Sequence, residues 1–258
     1  MKTGVGQTLA ISFGFCNENK KLFVPTLLSM YTVYFLSVIL NNYFYDDIDQ
    51  MLNTQYLTLG EKSTFIYDIP SFLPPQFSEI FLFLFKGDLL APFTSFLLGM
   101  IYVFGVAILF FLVESMYRGK DISYLGFLKA FPKIVISSIL TVILIVLGIM
   151  AYVLPGILLV YLLFYVVPES TSRADPLFTN IKNGILLVFK HPDYTLGLLA
   201  VITATIFSLN YILLHLNDLG VLGERSIFLD LIFILIRGIV YTWALVSNMV
   251  SYIRLESQ

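Results

Sequence analysis

The sequence has little charge, a single cysteine and two histidines, and each scarcity excludes a class of protein. Charged residues make up 12% of the 258 residues, about half of the ~25% that is typical of soluble domains. The lone cysteine, Cys16, excludes an intramolecular disulfide framework. His191 and His215 lie too far apart for the usual zinc spacings. We therefore expect no metal and no other cofactor.

Hydrophobic residues, in contrast, are abundant. They make up 58% of the chain, and the mean hydropathy is +0.88. Several apolar runs approach 20 residues, the length that a helix needs to cross a hydrocarbon core of ~30 Å. The sequence therefore predicts an all-α fold, a polytopic membrane helix bundle.

The apolar runs predict six spans within one integral membrane domain over residues 1–258. Paired in chain order, they form three helical hairpins. The predicted spans cover residues 22–40, 92–114, 134–152, 155–168, 194–214 and 227–250.

The third and fourth spans share a short stretch, residues 134–168. Either they form a tight hairpin that turns at Tyr152 to Gly156, or the stretch is one long helix kinked at Pro155. We prefer the hairpin, because one long span there would place Arg173, Lys182 and Lys190 outside and weaken the charge bias of the loops.

The basic residues set the expected orientation, since cytoplasmic loops of membrane proteins are enriched in Lys and Arg. In the plasma membrane, six spans with both termini cytoplasmic would place 11 basic residues on the cytoplasmic side and three on the outer side. The remaining one, Arg237, would lie within the last span. The formal net charge of −2 gives no reason to expect a nucleic-acid partner. The inside residues are Lys2, Lys20, Lys21, Arg118, Lys120, Lys129, Lys133, Arg173, Lys182, Lys190 and Arg254, and the outside residues are Lys62, Lys86 and Arg225.

The predicted outer loop, residues 41–91, is the one sizeable polar region and is acidic. Three prolines interrupt it, and the apolar, phenylalanine-rich segment 76–86 that follows is too short to span. We expect this segment to lie in the interface or to re-enter the membrane. Asp46, Asp47 and Asp49 match no calcium-loop pattern and are interpreted as a solvated acidic cluster.

Short amphipathic helices are expected at the cytoplasmic interface before the first, third and fifth spans. Each of these segments carries aromatic residues and lysine, followed by a break at Asn19, at Pro132 or at Pro192. The similarity has two possible explanations. The chain contains a threefold repeat, or any helix that enters the membrane from the cytoplasm has similar flanking residues.

Arg237 is the most unusual residue, because a charge near the bilayer midplane costs ~2.5–3.5 kcal/mol or more on insertion. Asp230 lies seven residues earlier, on nearly the same helix face. Arg237, Asp230 and Asn210 form the candidate intramembrane polar site. The alternatives are a structural ion pair, or an arginine that extends to the interface.

Other polar and small residues of the last two spans indicate helix contacts. Asn210 and Asn248 are suited to hydrogen bonds between helices, each worth ~0.6–2 kcal/mol. Ala200, Ala204 and Ser208 recur every four residues, which predicts a face on which another helix can pack closely.

One stretch carries a family resemblance. It runs from Leu154-Pro155-Gly156-Ile157-Leu158-Leu159-Val160-Tyr161 through Val167-Pro168-Glu169 to Phe189-Lys190-His191-Pro192. It resembles the integral-membrane domain associated with bacterial glycerophosphodiester phosphodiesterases and related uncharacterised membrane proteins of bacteria and archaea. The resemblance implies an apolar hairpin with a Pro-Gly turn, then an amphipathic helix. The hydrolase chemistry of that family belongs to a separate barrel domain absent from these residues, so no catalytic residue is carried over.

The sequence therefore predicts a non-enzymatic scaffold or accessory subunit that binds membrane lipids and a partner membrane protein or a second copy of itself. The alternative is a small transporter or channel that uses Arg237 and Asp230 within the bundle. An intramembrane enzyme is disfavoured, because the sequence has no cluster of nucleophile, base or metal ligands.

Overall fold

A computed structural model describes residues 4–44, 90–120, 124–151, 153–173, 175–218 and 227–257. Across these residues the chain is helical almost throughout and contains no strand, which confirms the all-α fold. Six segments are long and apolar enough to cross a membrane, which confirms a polytopic bundle: Lys20–Val38, Leu98–Tyr117, Leu125–Ile149, Leu154–Ser172, Pro192–Leu213 and Asp230–Glu256.

Nine α-helices and one short 3₁₀ helix, Lys20–Leu22, make up the described part of the chain. The α-helices are α1 (Val5–Glu18), α2 (Phe23–Phe44), α3 (Leu90–Tyr117), α4 (Tyr124–Ala151), α5 (Val153–Leu162), α6 (Val166–Ser172), α7 (Leu177–Lys190), α8 (Pro192–Asp218) and α9 (Ile227–Glu256).

By its internal contacts the chain divides into two compact units. One comprises Leu28–Tyr102. The other, the main unit, comprises Met1–Leu27 and Val103–Gln258. The predicted outer loop and its segment 76–86 lie outside the described residues, although α2 continues to Phe44 and α3 already begins at Leu90.

The chain adopts the hairpin, and not one kinked helix, between the third and fourth spans. α4 ends at Ala151, α5 begins at Val153, and the two helices pack against each other. The contact is close at Gly156, where a Cβ atom would lie 2.3 Å from Cγ1 and 2.9 Å from Cα of Ile149. A side chain at this position would push the helices apart, so the close approach of α4 and α5 depends on glycine. The expected Pro-Gly turn is wrong, because Pro155 and Gly156 lie within α5.

The predicted break before the third span is wrong. α4 runs without interruption from Tyr124 through Pro132, so the expected interfacial helix is continuous with the span. Proline removes one hydrogen bond to the carbonyl four residues earlier, here that of Leu128. This residue lies near the start of the span, where water and headgroups can replace the bond. Two aromatic rings also pack along this turn, with the Phe127 and Phe131 centroids 5.0 Å apart and the ring planes tilted by 52°.

The fourth span extends beyond its predicted end at residue 168. It consists of α5, a turn over residues 163–165, and α6, which includes Pro168 in its first turn. Pro168 cannot donate to the carbonyl of Phe164. That carbonyl instead accepts a hydrogen bond of 3.1 Å from Asn248 Nδ2 of α9. Proline therefore breaks the helix deep in the unit, and a side chain from another span takes up the released acceptor.

Two of the expected interfacial helices exist as separate elements, α1 and α7. α1 buries Thr8, Ser12 and Cys16 along one face. α7 buries Asn180, Gly184 and Val188. At Gly184 a Cβ atom would lie only 3.0 Å from the Val166 backbone, so α7 rests directly on the start of α6.

The core of the main unit lies at the end that carries Arg118, Arg173 and Arg254, which we call the basic end. Its largest fully buried side chains are Tyr165, Tyr252 and Phe110. Contacts between α1 and α9 place both of these terminal helices at this end. The buried cluster is formed by Cys16, Leu22, Leu109, Phe110, Val113, Tyr165, Val188, Val246, Met249, Val250, Tyr252, Ile253 and Leu255.

We predict that Gly156→Ala lowers the stability of the protein, because the new methyl group overlaps Ile149. Overpacking of this kind costs about 1–3 kcal/mol, and a lower midpoint of thermal unfolding in detergent measures it. Gly14→Ala is the matched control. Apart from its chain neighbours and the nearby backbone of its own helix, no atom lies within 4 Å of its Cβ position, and the higher helix propensity of alanine adds up to ~1 kcal/mol. Equal stability of Gly156→Ala and wild type would contradict the close packing of α4 on α5.

Candidate functional site

A chain of alternating charges crosses the basic end. Arg118 Nε lies 3.1 Å from Glu114 Oε1, and the guanidinium of Arg118 also binds Glu256. The other carboxylate oxygen of Glu256 lies 3.3 Å from Arg173 Nε, which in turn lies 3.2 Å from Glu169 Oε1. These five residues, the charge chain, connect the ends of α3, α6 and α9.

The local sequence explains how each half of the charge chain forms. Glu114 and Arg118 are four residues apart, as are Glu169 and Arg173, so each pair lies on one helix face. Gly119, with φ at 64°, ends α3 in a left-handed turn. This turn brings Lys120 Nζ back to within 2.9 Å of Glu114 Oε1.

The buried carboxylates require these cations. Glu114 is 5% exposed and Glu169 only 2%, and an unpaired carboxylate at such depth would lose several kcal/mol of solvation. The proximity of Glu169 raises the pKa of Arg173 above its ordinary value, because the carboxylate stabilises the charged guanidinium. The arrangement neutralises charge and joins three helices.

A second polar contact holds α1 against the bundle. The buried hydroxyl of Thr8 accepts hydrogen bonds from Tyr194 Oη at 2.7 Å and from Arg254 Nη1 at 3.0 Å. Arg254 Nη2 also donates to Gln7 Oε1 at 3.0 Å. α1 is therefore a docked part of the main unit, connected to both α8 and α9.

Neither of these two contacts was predicted as a site. The basic residues that form them were used only to predict the orientation of the chain. Glu114 and Arg118 are four residues apart, as are Glu169 and Arg173, and this spacing on a helix predicts ion pairs. No sequence pattern indicates that Glu256, at the other end of the chain, joins the two pairs.

Arg237 lies in the last span and is half-buried. Its Nε is buried and forms no hydrogen bond to any described residue. Within the described residues no ion pair connects Arg237 with Asp230, although Asp230 is not without a partner. The structure therefore does not bring these two charges together as an ion pair.

Asn210 Nδ2 donates to Tyr241 Oη at 3.3 Å and so connects α8 with α9. Tyr241 lies one turn beyond Arg237 on the same helix face. Asn248 connects α9 with the carbonyl of Phe164, as described above. Both asparagines thus form hydrogen bonds between helices.

Ala200, Ala204 and Ser208 are all exposed on α8. The opposite face of this helix contains Leu198 and Ile202, which are buried. The small side chains therefore face away from the core of the main unit, on a face of the fifth span that also exposes Leu196, Phe207 and Tyr211.

A long apolar groove of about 600 Å³ runs between the first and the last two spans. Lys20, the first residue of the first span, is one of the residues that line it. Burial raises the pKa of Cys16, which lies on its wall, to about 12, so this thiol is protonated at neutral pH. The groove is lined by Phe13, Cys16, Asn17, Lys20, Phe23, Leu27, Thr205, Leu235, Ile239, Val240 and Trp243.

We predict that Asn248→Leu lowers the stability of the protein by about 1–3 kcal/mol, because the buried Phe164 carbonyl loses its donor. Pro168→Ala restores a backbone N–H four residues after Phe164, which can take the place of Asn248. In the Pro168→Ala background the cost of Asn248→Leu should therefore be smaller by at least ~0.5 kcal/mol. Thermal unfolding of the four proteins of this double-mutant cycle measures the difference. An equal cost in both backgrounds would refute the role of Asn248.

Comparison with known proteins identifies no relative. No protein family, no curated protein and no solved structure matches the chain. The resemblance of residues 154–192 to the membrane domain of glycerophosphodiester phosphodiesterases therefore stays a prediction, and the function must be argued from the geometry of the chain itself.

Proposed function

We propose that this membrane protein is a non-enzymatic scaffold or accessory subunit, which binds a partner within the membrane through α8 and contacts lipid through α1 and α7. The observation that carries the proposal is the exposed small-residue face of α8, formed by Ala200, Ala204 and Ser208. Small residues at the surface of a spanning helix allow the backbone of another helix to approach closely. The partner is a different membrane protein or a second copy of this chain.

The contacts between helices at the basic end support this role. Ion pairs between α3, α6 and α9, together with the contacts of Thr8, hold the helices in one arrangement. A packed core of large side chains fills the interior beside them. A scaffold benefits from such a rigid body, because a pre-organised surface loses less entropy on binding.

The interfacial helices support contact with lipid. On α7, Phe178 is 82% exposed and Phe189 62%, and both lie on the same face as Lys182. Exposed aromatic rings beside a lysine suit the boundary between headgroups and acyl chains. The basic end, by the enrichment of cytoplasmic loops in Lys and Arg, would then face the cytoplasm.

The test is co-purification from native membranes in a mild detergent, with Ala204→Phe as the variant. We expect wild type to elute with a stoichiometric membrane-protein partner or as a homo-oligomer, and Ala204→Phe to lose that association at least tenfold. The added ring keeps the helices apart and removes the close backbone contact.

Ile143→Phe is the matched control, since Ile143 is 46% exposed on another span and gains a ring of the same size. This variant should retain the partner. A monomeric wild type without any stoichiometric partner, or equal binding by Ala204→Phe, would overturn the proposal.

Arg237 favours a second candidate, a small transporter or channel. Its buried Nε has no hydrogen-bond partner among the described residues, and a guanidinium at such depth is well suited to attract a small anion. Tyr241 lies one turn from it on α9, and Asn210 of α8 donates a hydrogen bond to Tyr241, so further polar groups lie in this part of the span. The packed core at the basic end is the reason that we rank this function second.

Flux from proteoliposomes separates the two candidates. For a scaffold, we expect chloride and phosphate to leave proteoliposomes no faster than protein-free liposomes. A flux that Arg237→Ala abolishes and Lys190→Ala leaves unchanged would establish the second function and overturn the first. Lys190 is the control because it is an exposed basic residue on α7.

A further inference from the structure

We propose that the apolar groove between α1, α2, α8 and α9 holds one acyl chain of an anionic phospholipid, with the phosphate at Lys20. The inference deepens the lipid-binding part of the proposed function, because it names a lipid class and a site. It does not depend on the small-residue face of α8.

The lining of the groove matches a hydrocarbon chain. Apart from Asn17, Lys20 and Thr205, the side chains that line it are apolar or aromatic, or the protonated thiol of Cys16. The hydroxyl of Thr205 donates to the carbonyl of Val201 at 2.8 Å, so it needs no further acceptor. The groove interior therefore offers dispersion contacts and few polar groups, as an acyl chain requires.

The groove also extends along the helices. Leu235 and Trp243 both line it and are eight residues apart on α9, which corresponds to ~12 Å along the axis. An apolar groove of this length suits a hydrocarbon chain that lies along the helices.

Charge complementarity selects an anionic lipid. Lys20 lines the groove where the first span begins, at the boundary between headgroups and hydrocarbon. Its side chain is exposed, and it forms no ion pair with any described residue. Asn17, also exposed, adds an amide donor beside it. An ammonium group and an amide at the mouth of an apolar groove match a phosphate followed by an acyl chain.

Trp243 provides the measurement, because it is the single tryptophan of the chain and lines the groove. The full-length protein is placed in two kinds of phosphatidylcholine nanodisc. One contains a minority of phosphatidylglycerol with brominated acyl chains, and the other contains the same fraction of phosphatidylcholine with brominated acyl chains. Bromine quenches tryptophan fluorescence on contact. We expect the brominated phosphatidylglycerol to be enriched about fivefold at Trp243 over its phosphatidylcholine counterpart, the effect of one basic residue near an anionic lipid.

Two variants, Lys20→Gln and Val240→Phe, test the site itself, and each has a matched control. Lys20→Gln should remove the preference for phosphatidylglycerol, whereas Lys21→Gln, an adjacent exposed lysine that does not line the groove, should retain most of it. Val240→Phe fills the groove and should reduce quenching by either lipid. Ile143→Phe, which adds the same ring to another span, should leave the quenching unchanged.

Equal quenching by the two lipids in wild type would overturn the inference. An equal loss of preference in Lys20→Gln and Lys21→Gln would also overturn it, since that result indicates attraction of anionic lipid to the whole basic surface. Failure of the partner experiment with Ala204→Phe leaves these measurements unaffected, so the two proposals fail separately.

Discussion

Backbone polar groups that enter the membrane need hydrogen-bond partners within the protein, and this constraint shapes the main unit. Pro168 leaves the carbonyl of Phe164 without its helical donor, and Asn248 of the last helix supplies one at 3.1 Å. In water such a carbonyl would simply be hydrated, but in hydrocarbon an unpaired acceptor costs several kcal/mol. One proline therefore determines which face of α9 must lie against the turn between α5 and α6.

The same constraint governs the basic end, where Glu114 and Glu169 are almost completely buried. Their carboxylates are tolerated because arginines share them, and Glu256 links the two pairs across three helices. Separating such a buried pair leaves a charge buried without a partner, which is strongly destabilising. The contact therefore favours one arrangement of helices even where its net stabilisation is small. The two proposed binding surfaces lie elsewhere, on the small-residue face of α8 and in the groove lined by Lys20.

Much of the fold was predictable from local pattern. Apolar length alone predicts six spans, and the charge bias of the loops favours two spans over one in residues 134–168, which the structure adopts. Prolines were harder to interpret, because Pro132 continues a helix while Pro168 breaks one. The difference lies in what surrounds the carbonyl that each proline leaves without a donor. For Pro132 it is water near the start of a span, and for Pro168 it is the side chain of Asn248. The residues next to each proline in the sequence do not specify either environment.

The sequence by itself determined that the chain lies in a membrane, how many spans it has, and which charged residues can form ion pairs one helical turn apart. These features depend on apolar length and helical periodicity, which are local properties. Only the tertiary structure decided that Glu256 joins Glu114 to Glu169 through two arginines, that Thr8 anchors α1, and that Ala200, Ala204 and Ser208 face outward. It also decided that Lys20 and Trp243 line one groove. The physical reason is that helix packing brings together residues more than 200 positions apart, and helical periodicity does not specify the partner of each face.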